Sequence, residues 1–212
     1  MLEINKIYCG DNLTLVGQLD DNSIDTILTD PPYGVGKSFK NDNLSDENLY
    51  KYLSNLSKEF KRVCKYNLLI DAPKNKLPLF LNAFGEWNYE YLIVLHETNG
   101  MRNGKVGFNN CGIALWFTNN KRKINRYRDV LSESIINNKK EFSHPSPKNI
   151  KHYSKLVQMF SDENDIILDP FMGSGTTAIA CLQLERNFIG FELSQEYCDI
   201  ADERLRKLNE CK

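Results

Sequence analysis

The chain has 212 residues, of which 41% are hydrophobic and 26% charged, and its formal net charge is −1 at pH 7. The length predicts one domain, residues 1–212, and the charge excludes a uniformly basic nucleic-acid-binding protein. No apolar run approaches 18 residues and none of the six cysteines lies in a Cys-x-x-Cys pair, so we expect no membrane span, no metal site and a cytoplasmic protein with free thiols.

Short apolar runs alternate with helical spacings along the chain. In order, the predicted elements are a strand at 2–8, a helix from Leu13, a strand at 24–29, a Gly- and Asn-rich loop at 34–44, a helix capped by Ser45, a strand at 67–70, a helix from Leu77, strands at 89–95 and 112–118, a helix from Ile150, a strand at 165–168, a helix from Thr176, a strand at 188–191 and a helix capped by Ser194. Residues 119–147 show no clear pattern. This alternation favours an α/β protein with a mostly parallel sheet.

The strand at 24–29 runs directly into the turn Asp30-Pro31-Pro32-Tyr33. The two prolines lack backbone donors, which leaves the Pro31 carbonyl to accept from a ligand. Asp30 and that carbonyl offer two acceptors to an exocyclic amino group, and Tyr33 offers a flat face to a heterocycle. A plain strand terminator with a packing tyrosine would also suit Pro-Pro, but the tetrapeptide at a strand end predicts a site for an amino-bearing ring.

A second strand, at 165–168, runs into a glycine-rich turn. Gly173 and Gly175 allow a tight turn and close approach of a ligand, and Glu192 ends the next strand, where an acid can bind ribose hydroxyls. The run also fits the loose Gly-x-Gly-x-x-Ala pattern of NAD sites. However, it begins only about 40 residues before the end of the chain, and no Gly-Lys-Ser/Thr follows it. The turn therefore predicts a nucleoside cofactor other than NAD and excludes a P-loop.

These segments carry a resemblance to a known family. Thr29-Asp30-Pro31-Pro32-Tyr33-Gly34 resembles motif IV, and the run 168–177 resembles motif I, of the S-adenosylmethionine-dependent amino-methyltransferases. The Asp30-Pro31-Pro32-Tyr33 turn, which the resemblance makes the catalytic turn, precedes the glycine turn. This order of the two turns resembles that of the permuted β class of DNA methyltransferases. Gly10-Asp11-Asn12, His144-Pro145-Ser146-Pro147-Lys148 and the run 188–192 are similar to the amino-terminal element, motif X and motif II, with Asn149 replacing a usual proline.

The resemblance implies a seven-stranded, mostly parallel Rossmann-like methyltransferase sheet with helices on both faces. It implies methyl transfer from S-adenosylmethionine to the exocyclic amine of a flipped base in double-stranded DNA. The catalytic residues it implies are Asp30, Pro31, Pro32 and Tyr33. The cofactor residues it implies are Asp11, Asn12, Asp30, Lys148, Asp169, Phe171, Gly173, Ser174, Gly175, Thr176, Thr177 and Glu192. Asp rather than Ser at position 30 favours adenine N6 within the family.

Local basic segments are the candidates for DNA contact in a chain that is near neutral overall. Residues 121–128 hold five basic side chains in eight, a pattern typical of phosphate contact and also of a solvated surface. The predicted DNA-binding residues are Arg102, Lys105, Lys121, Arg122, Lys123, Arg126 and Arg128. Residues of about 97–145 are expected to form a target-recognition insert, for which a homodimer would supply a second copy.

Three alternatives stay open. Cytosine N4 is the other base that the family methylates. RNA methylation is a further alternative that the order of the two motifs disfavours. A catalytically inactive module that binds S-adenosylmethionine or DNA is disfavoured by intact Asp30, Tyr33 and Glu192. His96 and His152 are expected to be structural, and a restriction-modification, orphan or phage role is left undecided.

Overall fold

A computed structural model describes residues 2–34, 43–100, 102–104, 107–134 and 148–210. The strands are β1 Lys6–Cys9, β2 Ile24–Thr29, β3 Cys64–Asp71, β4 Asn88–Glu97, β5 Arg102–Gly104, β6 Gly107–Asn109, β7 Cys111–Thr118, β8 Val130–Glu133, β9 Ile166–Asp169 and β10 Asn187–Glu192. The helices are α1 Asn12–Val16, α2 Asp46–Val63, α3 Leu77–Ala83, α4 Ile150–Phe160, α5 Thr176–Gln183 and α6 Gln195–Glu210, and a 3-10 turn spans Lys74–Lys76.

The main sheet has the strand order β1-β10-β9-β2-β3-β7-β4-β8. Neighbouring strands are parallel except where β7 runs antiparallel to β3 and β4. The predicted α/β class and mostly parallel sheet are confirmed, but the predicted count of seven strands is wrong. The eighth strand is β8, which lies in the stretch 119–147 that showed no pattern. Strands β5 and β6 form a separate hairpin.

Helices cover both faces of the sheet, as predicted. On one face, α2 and α3 bury Phe60, Phe80 and other apolar side chains against the strands. On the other face, α4 and α5 bury Phe160 and Ala178. Successive residues of β2 divide between the two layers, since Ile27 packs in the first and Leu28 in the second. This division is the period-two pattern of a strand buried on both faces.

Helix boundaries follow local chemistry. The Ser45 hydroxyl accepts from the Asn48 backbone N–H at 3.3 Å, and α2 begins with Asp46 and Glu47 next to its positive end. The helix predicted from Leu13 is shorter than its apolar spacing suggests, because α1 ends at Val16 and Gly17 caps it. Within the described ranges, no helix is long and apolar enough to cross a bilayer.

The carboxyl ends of β1, β2, β3, β9 and β10 lie along one margin of the sheet, which we call the carboxyl edge. Because β7 is antiparallel, it starts at this edge and ends at the opposite one, which we call the amino edge. The β5–β6 hairpin leaves from the end of β4 and returns to the start of β7, and both of these points lie at the carboxyl edge. The predicted insert at 97–145 is therefore not continuous, since β7 and β8 inside it belong to the main sheet.

Candidate active site

Strand register brings two carboxylates together at the carboxyl edge. Thr29 of β2 and Ile70 of β3 are partners in the parallel ladder. The next residue on each chain segment is an aspartate, Asp30 and Asp71, and the two therefore come side by side. Asp71 is 4% exposed. Sequence reasoning missed Asp71, although an acid directly after a buried apolar strand is the same signal that identified Asp30.

Lys148 joins these two carboxylates. Its ammonium lies 2.8 Å from Asp30 Oδ2 and 2.7 Å from Asp71 Oδ2. Lys148 directly precedes Asn149, whose side chain accepts from the Lys151 backbone N–H and caps α4. The resemblance implied that Lys148 binds the cofactor. The structure shows the ammonium held by Asp30 of the catalytic turn and by Asp71 of β3, and binding of the cofactor by Lys148 stays a prediction.

The charges of this cluster are set by burial and by each other. Burial raises the pKa of Asp71, and Asp30 raises it further, while Lys148 acts in the opposite direction. Burial alone would lower the pKa of Lys148, but Asp30 and Asp71 outweigh it and hold that pKa well above its usual range. Tyr153 of α4 donates its hydroxyl to Asp71 Oδ2 at 3.1 Å. Lys148 is therefore a fixed cation between two acids.

Tyr33 completes the turn. Its hydroxyl donates to Asp30 Oδ1, its ring meets Phe80 edge-on at a centroid distance of 6.2 Å, and the Lys148 ammonium lies 5.9 Å from its centroid. Burial and the neighbouring Asp30 raise the pKa of Tyr33 well above its usual value, which keeps the hydroxyl protonated. Pro31 is buried and Pro32 is half-buried.

Gly34 follows the tyrosine in a conformation that favours glycine. Its φ is 63°, and an added Cβ would lie 2.7 Å from the Leu44 carbonyl oxygen. The Lys76 ammonium binds the Gly34 carbonyl at 3.0 Å and pairs with Asp46 at 2.8 Å. These contacts tie the end of the catalytic turn to the start of α2.

The glycine turn lies beside the catalytic turn because β9 is the other neighbour of β2. Asp169 accepts from the Thr29 hydroxyl at 2.9 Å, from the Phe171 backbone N–H at 3.1 Å and from the Thr177 hydroxyl. Burial raises the pKa of Asp169 to about 7, against these hydrogen bonds, which lower it. Asp169 and Thr177 were predicted to bind the cofactor. Their side chains link the two turns through these hydrogen bonds, and a role in cofactor binding stays a prediction.

The rest of the glycine turn is shaped for close packing. Gly173 and Gly175 have φ of 54° and 83°, and a Cβ on Gly175 would lie 3.0 Å from the Ala201 Cβ. Ser174 and Thr176 are buried, and Arg204 binds the Ser174 hydroxyl at 3.0 Å. The side chains of Ser174 and Thr176 therefore stabilise the turn, whereas the glycines leave its backbone accessible to a ligand.

Beyond this turn, the predicted cofactor residues come from β10, β1 and α1. Glu192 accepts from the Gly173 backbone N–H at 2.9 Å and from the Ser194 backbone N–H at 2.8 Å. A carboxylate has about four lone-pair sites, so Glu192 retains acceptor capacity for two ribose hydroxyls. Asp11, the N-cap of α1, is exposed and lies two residues after Cys9, the register partner of Glu192.

Asn12 and Phe171 line the same region and meet a residue that the sequence did not indicate. Tyr52 of α2 donates its hydroxyl to Asn12 Oδ1 at 2.9 Å, and its ring meets Phe171 edge-on at 6.4 Å. Asn12 in turn donates to the Pro170 carbonyl at 3.4 Å. Burial raises the pKa of Tyr52 to about 12. The half-buried Phe171 ring offers an apolar face, and Glu192 and Asp11 offer carboxylate acceptors, which together fit a nucleoside.

The basic run 121–128 does not lie with these residues. Ala114 of β7 pairs with Asp71, whereas Thr118 pairs with Asn67, so the end of β7 is about 13 Å along the strand toward the amino edge. The run begins just beyond that point. Arg122 is further tied to Asp162 and Asp165 by ion pairs of 2.5 and 2.7 Å. These two ion pairs engage the Arg122 guanidinium, and its contact with phosphate stays a prediction.

The other predicted DNA-binding residues lie in different parts of the structure. Lys121 and Lys123 are exposed near the amino edge, which separates them from Asp30 at the carboxyl edge. Arg126 and Arg128 are exposed on the way to β8, whose first residue pairs with Val94 in the middle of β4. The backbone of Arg102 lies in β5 of the hairpin at the carboxyl edge. Lys105 and the segment 144–147 lie outside the described residues.

No group of three His, Cys, Asp or Glu side chains among the described residues is arranged to hold a metal ion. His152 is buried and meets the His96 carbonyl through Nε2 at 3.0 Å, and burial lowers its pKa. His96 contacts Ser132 and Asn110 through its two ring nitrogens. Both histidines are engaged in contacts between elements, as the sequence predicted.

Known proteins resemble this chain over nearly its whole length. A type II methyltransferase, M.HpaI of Haemophilus parainfluenzae, is 27% identical over 94% of this chain and 74% of its own length. A putative methylase, YubD of Escherichia coli K12, is 29% identical over 95% of this chain and 90% of its own. The structure of an M1.HpyAVI–SAM complex superposes with a TM-score of 0.75 at 26% identity, covering 94% of this chain and 98% of that one.

A more distant structure shares the fold. The PvuII DNA methyltransferase, which is cytosine-N4-specific, superposes with a TM-score of 0.79 at 18% identity and covers 97% of this chain and 90% of its own. The sequence model of the N6_N4_Mtase family, described as DNA methylase, matches residues 24–203. That match includes the catalytic turn, the glycine turn and Glu192, and the chain therefore belongs to the N6/N4 family of DNA methylases.

Proposed function

We propose that this protein transfers a methyl group from S-adenosylmethionine to the exocyclic amine of a base in double-stranded DNA, and that the base is adenine. The observation that carries the proposal is the placement of the two turns on neighbouring strands, linked by the Thr29–Asp169 hydrogen bond of 2.9 Å. An amine held by Asp30 is thereby adjacent to a nucleoside held at the glycine turn. This adjacency is what direct transfer between two bound molecules requires.

The cofactor half of the site uses Glu192, Asp11 and Phe171. S-Adenosylmethionine supplies an electrophilic methyl group on a sulfonium sulfur. Glu192 accepts the ribose hydroxyls with the lone pairs that Gly173 and Ser194 leave unused. Phe171, whose ring meets Tyr52 edge-on, would supply an apolar face for the adenine. The solved M1.HpyAVI–SAM complex, which is 26% identical to this chain, supports the assignment.

The amine half uses the Asp-Pro-Pro-Tyr turn. A base inside the duplex cannot present its amine in the required geometry, so it is flipped out and stacked on Tyr33. Asp30 and the Pro31 carbonyl accept the two amine N–H bonds and direct the nitrogen lone pair at the methyl carbon. The N–C bond forms as the S–C bond breaks, the electron pair stays on sulfur, and Asp30 accepts the surplus proton from nitrogen afterwards.

DNA reaches this site from the carboxyl edge. We assign the contact to the β5–β6 hairpin, which stands at that edge and includes Arg102 in β5, together with Lys105, which follows β5 in the sequence. The hairpin is short, so it reads few base pairs by itself. Phosphate contacts from the two basic side chains would position the duplex without reading its sequence.

A methylation assay tests the proposal. The purified protein, S-adenosylmethionine carrying a labelled methyl group, and unmethylated genomic DNA or RNA are incubated, and the nucleosides are separated by mass spectrometry. We expect N6-methyladenine in DNA, and none with Asp30→Ala, since losing one preorganised group costs about 10²–10³ in rate.

The possible outcomes separate the parts of the proposal. N4-Methylcytosine would overturn the choice of base and keep the reaction. Label in RNA alone would overturn the substrate. Equal labelling by Asp30→Ala and the unchanged protein would overturn the assignment of the catalytic turn, whereas cofactor binding without any methylated nucleoside would indicate an inactive module.

A further inference from the structure

We infer that Asp71 is a positioning residue for methyl transfer, which acts by holding the Lys148 ammonium against the catalytic carboxylate of Asp30. The inference rests on the proposed function, because it assigns a role within the same site. Three contacts define the arrangement: Asp71 with Lys148 at 2.7 Å, Asp71 with the Tyr153 hydroxyl at 3.1 Å, and Lys148 with Asp30 at 2.8 Å.

The free energy that it costs to bury Asp71 is not fully offset by the contacts of its carboxylate. Asp71 is 4% exposed, and its Oδ1 is buried with no hydrogen-bond partner among the described residues. An under-satisfied buried carboxylate costs free energy, and replacing such a group by an apolar one often stabilises a protein. Groups of this kind concentrate at functional sites. Its location beside Asp30 identifies which function it serves.

A second ion pair on the same two strands provides the contrast. At the amino edge, Lys65 of β3 lies 2.9 Å from Asp25 of β2. The other oxygen of Asp25 accepts from the Ile166 backbone N–H at 2.9 Å, so both oxygens are used. The Asp25 pair is a satisfied link between strands, whereas the Asp71 pair leaves one oxygen without a partner and contacts the reacting centre.

The geometry shows what Asp71 contributes. Lys148 binds Oδ2 of Asp30 while Tyr33 binds Oδ1, so the plane of the catalytic carboxylate is fixed at both oxygens. A lysine has a flexible four-carbon stem and a point charge, and cannot hold such a position alone. Asp71 and Tyr153 supply the second attachment.

Single-turnover kinetics test the inference. Asp71→Asn removes the charge and keeps the shape, and Tyr153→Phe removes one hydrogen bond. Asp25→Asn is the matched control, since it breaks an ion pair on the same strands. We expect Asp71→Asn to slow methyl transfer by about 10- to 100-fold, and Tyr153→Phe by less, with S-adenosylmethionine affinity unchanged, as a misplaced reacting group would do. Asp25→Asn should alter the melting temperature and leave the transfer rate unchanged.

A double-mutant cycle separates positioning from a general structural effect. If Asp71 acts through Lys148, then Asp71→Asn should cost little in a Lys148→Met background, and the two effects should not add. Additive effects, or equal transfer rates for Asp71→Asn and Asp25→Asn, would overturn the inference. A failure of the proposed function is distinguishable, because the unchanged protein would then form no methylated base in double-stranded DNA.

Discussion

Both carboxylate oxygens of Asp30 are engaged before any substrate binds. Tyr33 donates to Oδ1 and Lys148 to Oδ2, so an incoming amine must use the lone pairs that remain. This geometry limits the directions from which the amine can approach. In the proposed reaction the tyrosine would have two separable functions, a flat ring for the flipped base and a hydroxyl for the carboxylate.

Variants at Tyr33 separate these two functions. Tyr33→Ala should lose base stacking, which costs about 1–3 kcal/mol, and also the hydroxyl bond. Tyr33→Phe should keep the stacking and lose only the bond to Asp30. We expect fluorescence of a 2-aminopurine at the target position to report normal flipping by the Phe variant and reduced flipping by the Ala variant. Equal flipping by the two variants would rule out stacking.

Glu192 provides a test of the cofactor half. Glu192→Ala should weaken S-adenosylmethionine binding through loss of hydrogen bonds to a charged group, each about 1.5–3 kcal/mol. Calorimetry gives the affinity, and the rise in melting temperature with ligand gives an independent measure. Glu196→Ala, an exposed acid in the first turn of α6, is the control. Stabilisation by NAD instead of S-adenosylmethionine would show that the glycine turn has been misassigned.

At the scale of elements, the sequence predicted the strands that have strong local patterns. The seven predicted strands are present, and α2 begins where Ser45 and its following acids placed it. Strand β8 was missed because its four residues carry only two apolar side chains and follow a basic run, and its stability comes from pairing with β4. The hairpin was missed because its sequence is polar and Gly-rich.

The residues of the candidate site likewise divide into those that the sequence predicted and those that it missed. Asp30 and the glycine turn were identified because each follows a buried strand, a local signal. Asp71, Tyr153 and Tyr52 were missed because their contacts depend on strand register and helix packing between distant segments. The Tyr153–Asp71 hydrogen bond, for example, joins residues 82 positions apart. No local pattern of a helix-face tyrosine indicates which acid it will meet.

The buried carboxyl group of Asp169 predicts a pH dependence of stability. Its pKa is about 7 in the folded protein and near 3.8 when unfolded, so the folded state holds a proton that the unfolded state releases. The contribution of Asp169 to the free energy of unfolding is therefore greatest below about pH 4. It falls by an amount on the order of 4 kcal/mol as the pH rises to 7, and it is constant at higher pH.

Asp169→Asn should remove this dependence, because an amide does not titrate. Urea unfolding between pH 4.5 and 8 gives the free energy of unfolding of both proteins, and the difference between them is the measured quantity. Asp20→Asn, an exposed acid before β2, is the control and should leave the profile unchanged. A profile of Asp169→Asn that parallels the unchanged protein would contradict the prediction.

At the scale of the whole molecule, the two margins of the sheet differ in the residues that they carry. The hairpin and the acids around Asp30 lie at the carboxyl edge, whereas Lys121 and Lys123 lie toward the amino edge. The most basic segment of the sequence is therefore remote from the proposed chemistry. Sequence alone suggested the opposite because it contains no information on the direction of β7.

Salt dependence of DNA binding distinguishes the two margins. Each phosphate contact contributes about 0.9 to the slope of log affinity against log salt. Replacing Arg102 and Lys105 by Gln should reduce the slope by up to about 1.8, while replacing Lys121 and Lys123 by Gln should leave it unchanged. Fluorescence anisotropy with duplex DNA at several salt concentrations measures both. The reverse result would show that DNA binds along the amino edge.

The strand order has a consequence for how the protein is made. Strand β2 pairs with β9, from which it is separated by more than half of the chain, and β1 pairs with β10. During synthesis from the amino terminus, β2 is complete long before its β9 neighbour emerges, and one of its edges stays open to other chains. Closing such distant pairs is slow, so the nascent chain exposes unpaired strand edges until residue 192 has been made. Affinity for S-adenosylmethionine would then report the last step of folding.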